Sequence, residues 1–151
     1  MDTDLQTVYD SFLIKVEDYN YLDLTEEELA TELYQLAKSS VAKFTVAENI
    51  GINEYTEKFT RELTPLEIEI LAYGMVLSWV EPKINSVEVL RQRLASKDYQ
   101  IFSQANHIKE LKEIKVQASK DFNYWVTRYS SDKALKELLD RWVILKFIRK
   151  S

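Results

Sequence analysis

Glycine and proline together occupy only four of 151 positions: Gly51, Gly74, Pro65 and Pro82. An all-β chain reverses direction every few residues and relies on these residue types at its turns, so this inventory leaves long helices as the workable architecture. The length suits a single domain that buries roughly two-thirds of the surface its unfolded chain exposes. The expectation is an all-α fold, a helical bundle of about five to six helices with a long helix near the C-terminus and an apolar C-terminal segment. Residues 1–130 form the expected helical core, and residues 131–151 an expected C-terminal docking segment.

The apolar pattern supports this reading element by element. Leu5, Val8, Tyr9, Phe12, Leu13 and Val16 recur at three- and four-residue steps and predict one helix, with a break from Asp18 to Leu24. Thr25 and Glu28 have the spacing of a capping box, and Leu29, Leu33, Leu36, Ala37, Val41 and Phe44 continue a second stripe behind it. Periodicity lapses between Ala47 and Leu63, where Tyr55 and Phe59 fit either a short helix or a loop resting on the core. Thr64 and Pro65 mark a third start, because threonine caps and proline loses no hydrogen bond at the first helical position. The stretch from Leu66 to Val80 is apolar on most of its circumference and predicts a central helix, in which Gly74 marks the close approach of another backbone.

Pro82 predicts the end of that helix, with Ile84, Val87, Leu90 and Leu94 outlining a short one after it. A turn around Asp98 leads past Ile101 and Phe102 to Ser103 as a cap. From there Ile108, Leu111, Ile114, Ala118, Phe122, Trp125 and Tyr129 predict a long helix, which Ser130, Ser131 and Asp132 interrupt. In the last segment Leu135, Leu138, Leu139, Trp142, Leu145 and Ile148 keep helical spacing, while Val143, Ile144 and Phe147 make its end apolar on several sides. Such an end is either a helix buried in a partner or a strand added to a neighbour's sheet, and the spacing favours the helix.

The same inventory removes most chemistry. There is no cysteine, so disulfides, thiolate metal sites and cysteine nucleophiles are excluded. With glycine only at positions 51 and 74, neither a phosphate-cradling loop nor a nucleophile elbow can be assembled. His107 is the sole histidine and reads as a solvated or hydrogen-bonded residue on a helix rather than a base. One acidic pattern remains: Glu110 with Glu113, and Glu137 with Asp140, each share a helix face, and on adjacent antiparallel helices the two pairs could hold Mg²⁺. That arrangement resembles the carboxylate signature of the all-α nucleotide pyrophosphatases, but Lys109, Lys112 and Lys136 flank the carboxylates as ordinary surface ion pairs. The expectation is a non-enzyme with no catalytic, metal-binding or cofactor-binding residues. The aromatic residues Phe122, Tyr124, Trp125, Tyr129 and Trp142 read as core and interface anchors ahead of a base-stacking platform.

Charge separates along the chain. Through Glu32 the acidic residues face only Lys15, whereas Lys and Arg dominate from Lys109 to Lys150, and the whole carries a formal net charge of -5. This balance disfavours a dedicated nucleic-acid binder and suits head-to-tail contacts in which an acidic face of one copy meets a basic face of the next. The partner-contacting residues expected are Trp142, Leu145, Phe147 and Ile148, with Arg141 and Lys146 beside them. The acidic start, Met1 to Asp4, is unlike a secretory signal, and no apolar run reaches the length of a membrane span; a cytoplasmic protein, or part of a particle assembled in cytoplasm, is expected.

Three stretches have a recognisable texture: LTPLEIEILAYGMVLSWVEPKI from Leu63 to Ile84, SKDYQIFSQANHIKELKEIK from Ser96 to Lys115, and YWVTRYS from Tyr124 to Ser130. From Phe12 to Ser130 the chain resembles the small head–tail connector, or neck, proteins of tailed bacteriophages infecting Gram-positive hosts. The resemblance implies a helical virion subunit, an adaptor ring between portal and tail, with portal protein, tail-proximal neck proteins and further copies of itself as partners. It also implies incidental contact with passing genomic DNA. The segment after Ser131 lies beyond the resemblance. Two other classes fit the residues, a Mg-dependent all-α nucleotide pyrophosphatase and a small host-directed regulatory protein with a single target.

Overall fold

The computed structural model describes residues 1–16, 24–93 and 98–150, with side chains described outside 87–105. It is mostly helical: α1 (Leu5–Lys15), α2 (Glu26–Lys43), α3 (Pro65–Arg93) and α4 (Asp98–Lys150), with a two-stranded hairpin of β1 (Ile52–Asn53) and β2 (Lys58–Phe59) between α2 and α3. The expected break from Asp18 onward, and the side chains of Val87, Leu90, Leu94, Ile101 and Phe102, lie outside the described residues.

α1 and α2 form where the apolar stripes place them. Leu5, Val8 and Phe12 are buried on α1, and Leu33, Leu36 and Ala37 on α2, with Phe44 closing the latter's C-terminus. The Thr25–Glu28 capping box is present in both directions: the Thr25 hydroxyl accepts from the Glu28 N–H and the Glu28 carboxylate accepts from the Thr25 N–H. α3 is the central helix and packs against α1, α2 and α4, with Ile70, Leu71, Met75 and Val80 almost wholly removed from water.

The close approach at Gly74 involves a side chain rather than another backbone. A Cβ there would overlap the Ser40 hydroxyl and stand 3.1 Å from Ser40 Cβ and 3.3 Å from Phe122 Cε2. That hydroxyl is buried and donates to the Leu71 carbonyl at 2.6 Å, so it cannot be displaced without losing the bond. Gly74→Ala is expected to destabilise by about 1–3 kcal/mol in urea unfolding despite alanine's better helix propensity, and by less on a Ser40→Ala background. An equal cost on both backgrounds would show that Ser40 is not what the new methyl meets.

Two predicted breaks do not occur. α3 runs straight through Pro82, so the separate short helix from Ile84 is the continuation of α3. A proline inside a helix removes one backbone bond and costs about 3 kcal/mol, yet Trp79 and Val80 before it and Ile84 after it are all buried, and that packing holds the helix together. Pro82 itself is exposed. Pro82→Ala is therefore expected to raise stability by about 1–2 kcal/mol in urea unfolding, somewhat below the propensity difference because the unfolded chain also gains freedom. No gain would mean that the missing bond is already compensated.

Nor do Ser130, Ser131 and Asp132 interrupt α4, which is a single helix of 53 residues, about 80 Å long at 1.5 Å per residue. Serine and aspartate are only mildly unfavourable within a helix, and with neither glycine nor proline nearby they do not end one. α4 also begins at Asp98, so Ser103 lies within the helix and does not cap it, while the part of the expected turn before Asp98 lies outside the described residues. With these junctions closed, the described residues hold four helices rather than five or six.

The undecided stretch from Ala47 to Leu63 is the hairpin and its flanks. Ile52 pairs with Phe59 and Asn53 with Lys58, and Asp4 bridges to Lys58 from the chain's start. Phe59 reaches the core while Tyr55 at the turn is fully exposed. Asn53 stabilises the turn by accepting from the Tyr55 and Thr56 N–H groups.

Candidate functional site

α4 changes character along its length. Ile108, Leu111, Ala118 and Phe122 are buried, and Trp125 and Tyr129 pack against the core that Leu111, Ala118 and Phe122 join. From Ala134 to Lys150 every residue is exposed, so roughly 25 Å of helix extends past the body. It needs no nucleation of its own, since the packed half of α4 has already formed the first turns. Basic Arg149 and Lys150 in the last turn complement the helix dipole.

A buried polar cluster fixes the point of departure. Thr64 and Glu67 form a second capping box at the start of α3. The Glu67 side chain, 2% exposed, also accepts two hydrogen bonds from the Arg61 guanidinium, at 2.9 and 2.5 Å. Tyr129 of α4 donates to the same carboxylate at 3.2 Å, and its ring meets Phe44 edge-on with centroids 5.0 Å apart. Arg61 further donates to the Glu48 and Glu62 carbonyls, and one turn beyond Tyr129, Lys133 pairs with the Glu48 carboxylate at 2.9 Å. Burial alone would raise the pKa of Glu67, but the bonds and charge of Arg61 and the Thr64 N–H outweigh it and hold the carboxyl below its ordinary value. The loop, α3 and α4 are thus fastened together where α4 leaves the body.

All six residues expected to contact partners lie on this projecting end. Trp142 is 58% exposed, Leu145 59%, Phe147 74% and Ile148 64%, and Arg141 and Lys146 are exposed beside them. The Lys146 ammonium sits over the Trp142 ring, 4.7 Å from its centroid. Helical geometry puts Leu135, Leu138, Leu139, Trp142 and Leu145 on one face, and Ile144, Phe147 and Ile148 on the other, so the tip is apolar on two sides. The aromatic group does not act as one unit: Phe122, Trp125 and Tyr129 serve the core, whereas Tyr124 and Trp142 face outward.

The paired carboxylates do not converge. Glu110 and Glu113 lie on the same unbroken helix as Glu137 and Asp140, and the 24-residue step from Glu113 to Glu137 spans about 36 Å. Among the described residues no group of three or more potential ligands could hold a metal ion. His107 is exposed on α4 near Trp79, Pro82 and Lys83. Among the described residues, no helix is long and apolar enough to cross a membrane.

A second surface, which the sequence pattern did not single out, lies between α1 and α2. It is a groove of about 720 Å³, floored by Leu5, Tyr9, Leu13, Leu29 and Leu33 and edged by Asp4, Glu26, Glu54 and Glu57. The Tyr34 hydroxyl donates to Glu54 at 2.5 Å across one end. Burial, and then the charge of Glu57, push the Tyr9 phenol up to about 12, in keeping with a negative local field. Lys58 reaches Asp4 at 3.4 Å from the hairpin, and among the described residues all four charged ones that line the groove itself are acidic.

In comparisons with known proteins, no family model matches the chain, and neither a curated protein nor a solved structure matches it.

Proposed function

We propose that this protein is a structural subunit of a bacteriophage neck, a head–tail connector whose projecting α4 end docks on a neighbouring ring component. The observation that carries the reading is the exposure of Trp142, Leu145, Phe147 and Ile148 on a helix fastened to the body through Tyr129 and Lys133. Large apolar side chains on two sides of one helix end are costly in water, and such patches mark protein interfaces. Burying Trp142, Leu145 and Phe147 would contribute about 1.5–3 kcal/mol each before the costs of association are subtracted. Arg141 and Lys146 suit an acidic rim around such a contact and give it register. The texture of the sequence from Phe12 to Ser130 supplies the phage context, with portal protein, tail-proximal neck proteins and further copies as partners in the virion and, during assembly, in host cytoplasm. Basic residues of α4 would meet passing DNA only through sequence-independent phosphate contacts.

The test is the mass of the purified protein by light scattering, alone and mixed with portal rings. A ring, or stoichiometric recruitment to portals, is expected. A monomer indifferent to portals would overturn the connector reading and direct attention to a single host target.

A further inference from the structure

We propose that the occupant of the α1–α2 groove is the α4 tip of a second copy of this chain, so that subunits join head to tail. The inference rests on the reading of the protein as an assembling subunit and assigns it both halves of one interface.

Three observations converge. Trp142, Leu145 and Phe147 expose apolar surface on a helix end whose charged residues from position 141 onward are all basic, Arg141, Lys146, Arg149 and Lys150. The groove presents the complement, an apolar floor under Tyr9 and Leu29 within an acidic edge of Glu26, Glu54 and Glu57. Its volume of about 720 Å³ lies within the range of clefts, ~300–1,000 Å³, that enclose a compact apolar group. Charge complementarity of this kind sets register and rejects the reverse pairing, since two basic tips or two acidic grooves repel.

The tip cannot occupy its own groove. α4 is unbroken from Asp98 to Lys150, is fastened to α3 through Tyr129 and to the loop through Lys133, and runs away from the body beyond that point. Folding back would require the helix to break. A contact that uses two different patches on identical subunits is heterologous, and it propagates into a closed ring or an open filament rather than stopping at a dimer.

The experiment uses the full-length chain and two variants whose changes lie at exposed helix positions. Trp142→Glu with Phe147→Glu disables the tip, and Glu26→Lys with Ala30→Arg blocks the groove. At about 100 µM by light scattering, wild type is expected to exceed dimer mass, and each variant alone to remain monomeric, a loss of at least about tenfold in self-affinity. An equimolar mixture of the two variants is expected to form a one-to-one dimer and nothing larger, because one intact tip and one intact groove remain. Failure of the mixture to pair would overturn the proposal, as would self-association that survives the groove variant, which is the signature of a tip-to-tip contact. Monomeric wild type would also overturn it, while stoichiometric recruitment to portals would still uphold the connector reading. Because the chain has no cysteine, Phe147→Cys and Ala30→Cys in one chain give an independent check with a short bis-maleimide. A ladder of linked subunits is expected, and its absence, with both thiols labelled, would overturn the proposal.

Discussion

Arg61→Ala is expected to lower stability by about 2–4 kcal/mol, or roughly 10 °C in Tm, although Arg61 lies in a loop. The cause is Glu67. The residue is 1% exposed, and without the guanidinium its carboxylate keeps only neutral donors among the described residues, from Thr64 and the Tyr129 hydroxyl. Removing one partner of a fully buried pair costs about 3–5 kcal/mol; the expected loss is somewhat less because Arg61 is 32% exposed and water can follow it out. Replacing both residues, as in Arg61→Met with Glu67→Gln, should cost less than Arg61→Ala alone, since no charge is then left buried.

The same pair makes a pH prediction with a definite sign. In the wild type the Glu67 carboxyl titrates below its ordinary value of 4.5, so its contribution to stability is present above that value and is lost as pH falls through the folded-state pKa. In Arg61→Ala the remaining influence is mainly burial, which raises the pKa, and the carboxyl takes up its proton earlier as the solution is acidified. The difference in urea midpoint between the two proteins should therefore shrink from pH 7 to about pH 4. A constant difference would mean that Arg61 acts through packing and its carbonyl contacts rather than through Glu67.

This cluster also shows where the sequence stops being legible. The Thr64-x-x-Glu67 spacing is local, and a capping box can be read from it as it was from Thr25 and Glu28. The meeting of Arg61 with Glu67 and Tyr129 is not local, because Tyr129 arrives from 62 residues away. Pro82 was misleading for a related reason: the rule that proline ends helices is local, and the burial of Trp79, Val80 and Ile84 that overrides it is tertiary. Ser130 to Asp132 do not interrupt α4 because their helix propensity is only mildly unfavourable and the helix continues on both sides. The apolar tip was legible, since a helical period that loses its polar face needs no structure to be noticed. Its acidic counterpart was only half visible: the excess of Asp and Glu before Glu32 was plain, but the groove takes Glu54 and Glu57 from the hairpin, which the pattern left undecided.

Truncation after Lys133 should separate the two halves of α4 more sharply than any single substitution, abolishing recruitment to portal rings and to other copies while leaving the body intact. Every residue removed between Ala134 and Lys150 is exposed, and Lys133 with its Glu48 partner is retained, so the remaining core loses no buried contact. Surface changes of this kind stay within about 0.5 kcal/mol, which is a shift of roughly 1–2 °C in Tm. The truncated protein should also be more soluble, because Trp142, Val143, Ile144, Leu145 and Phe147 leave with the segment. A large fall in Tm would mean that the tip packs on its own body in solution. Unchanged docking would place the contact surface elsewhere and remove the main support for a connector. The expected pairing of unchanged stability with lost docking is what a helix end without structural duty in its own subunit requires.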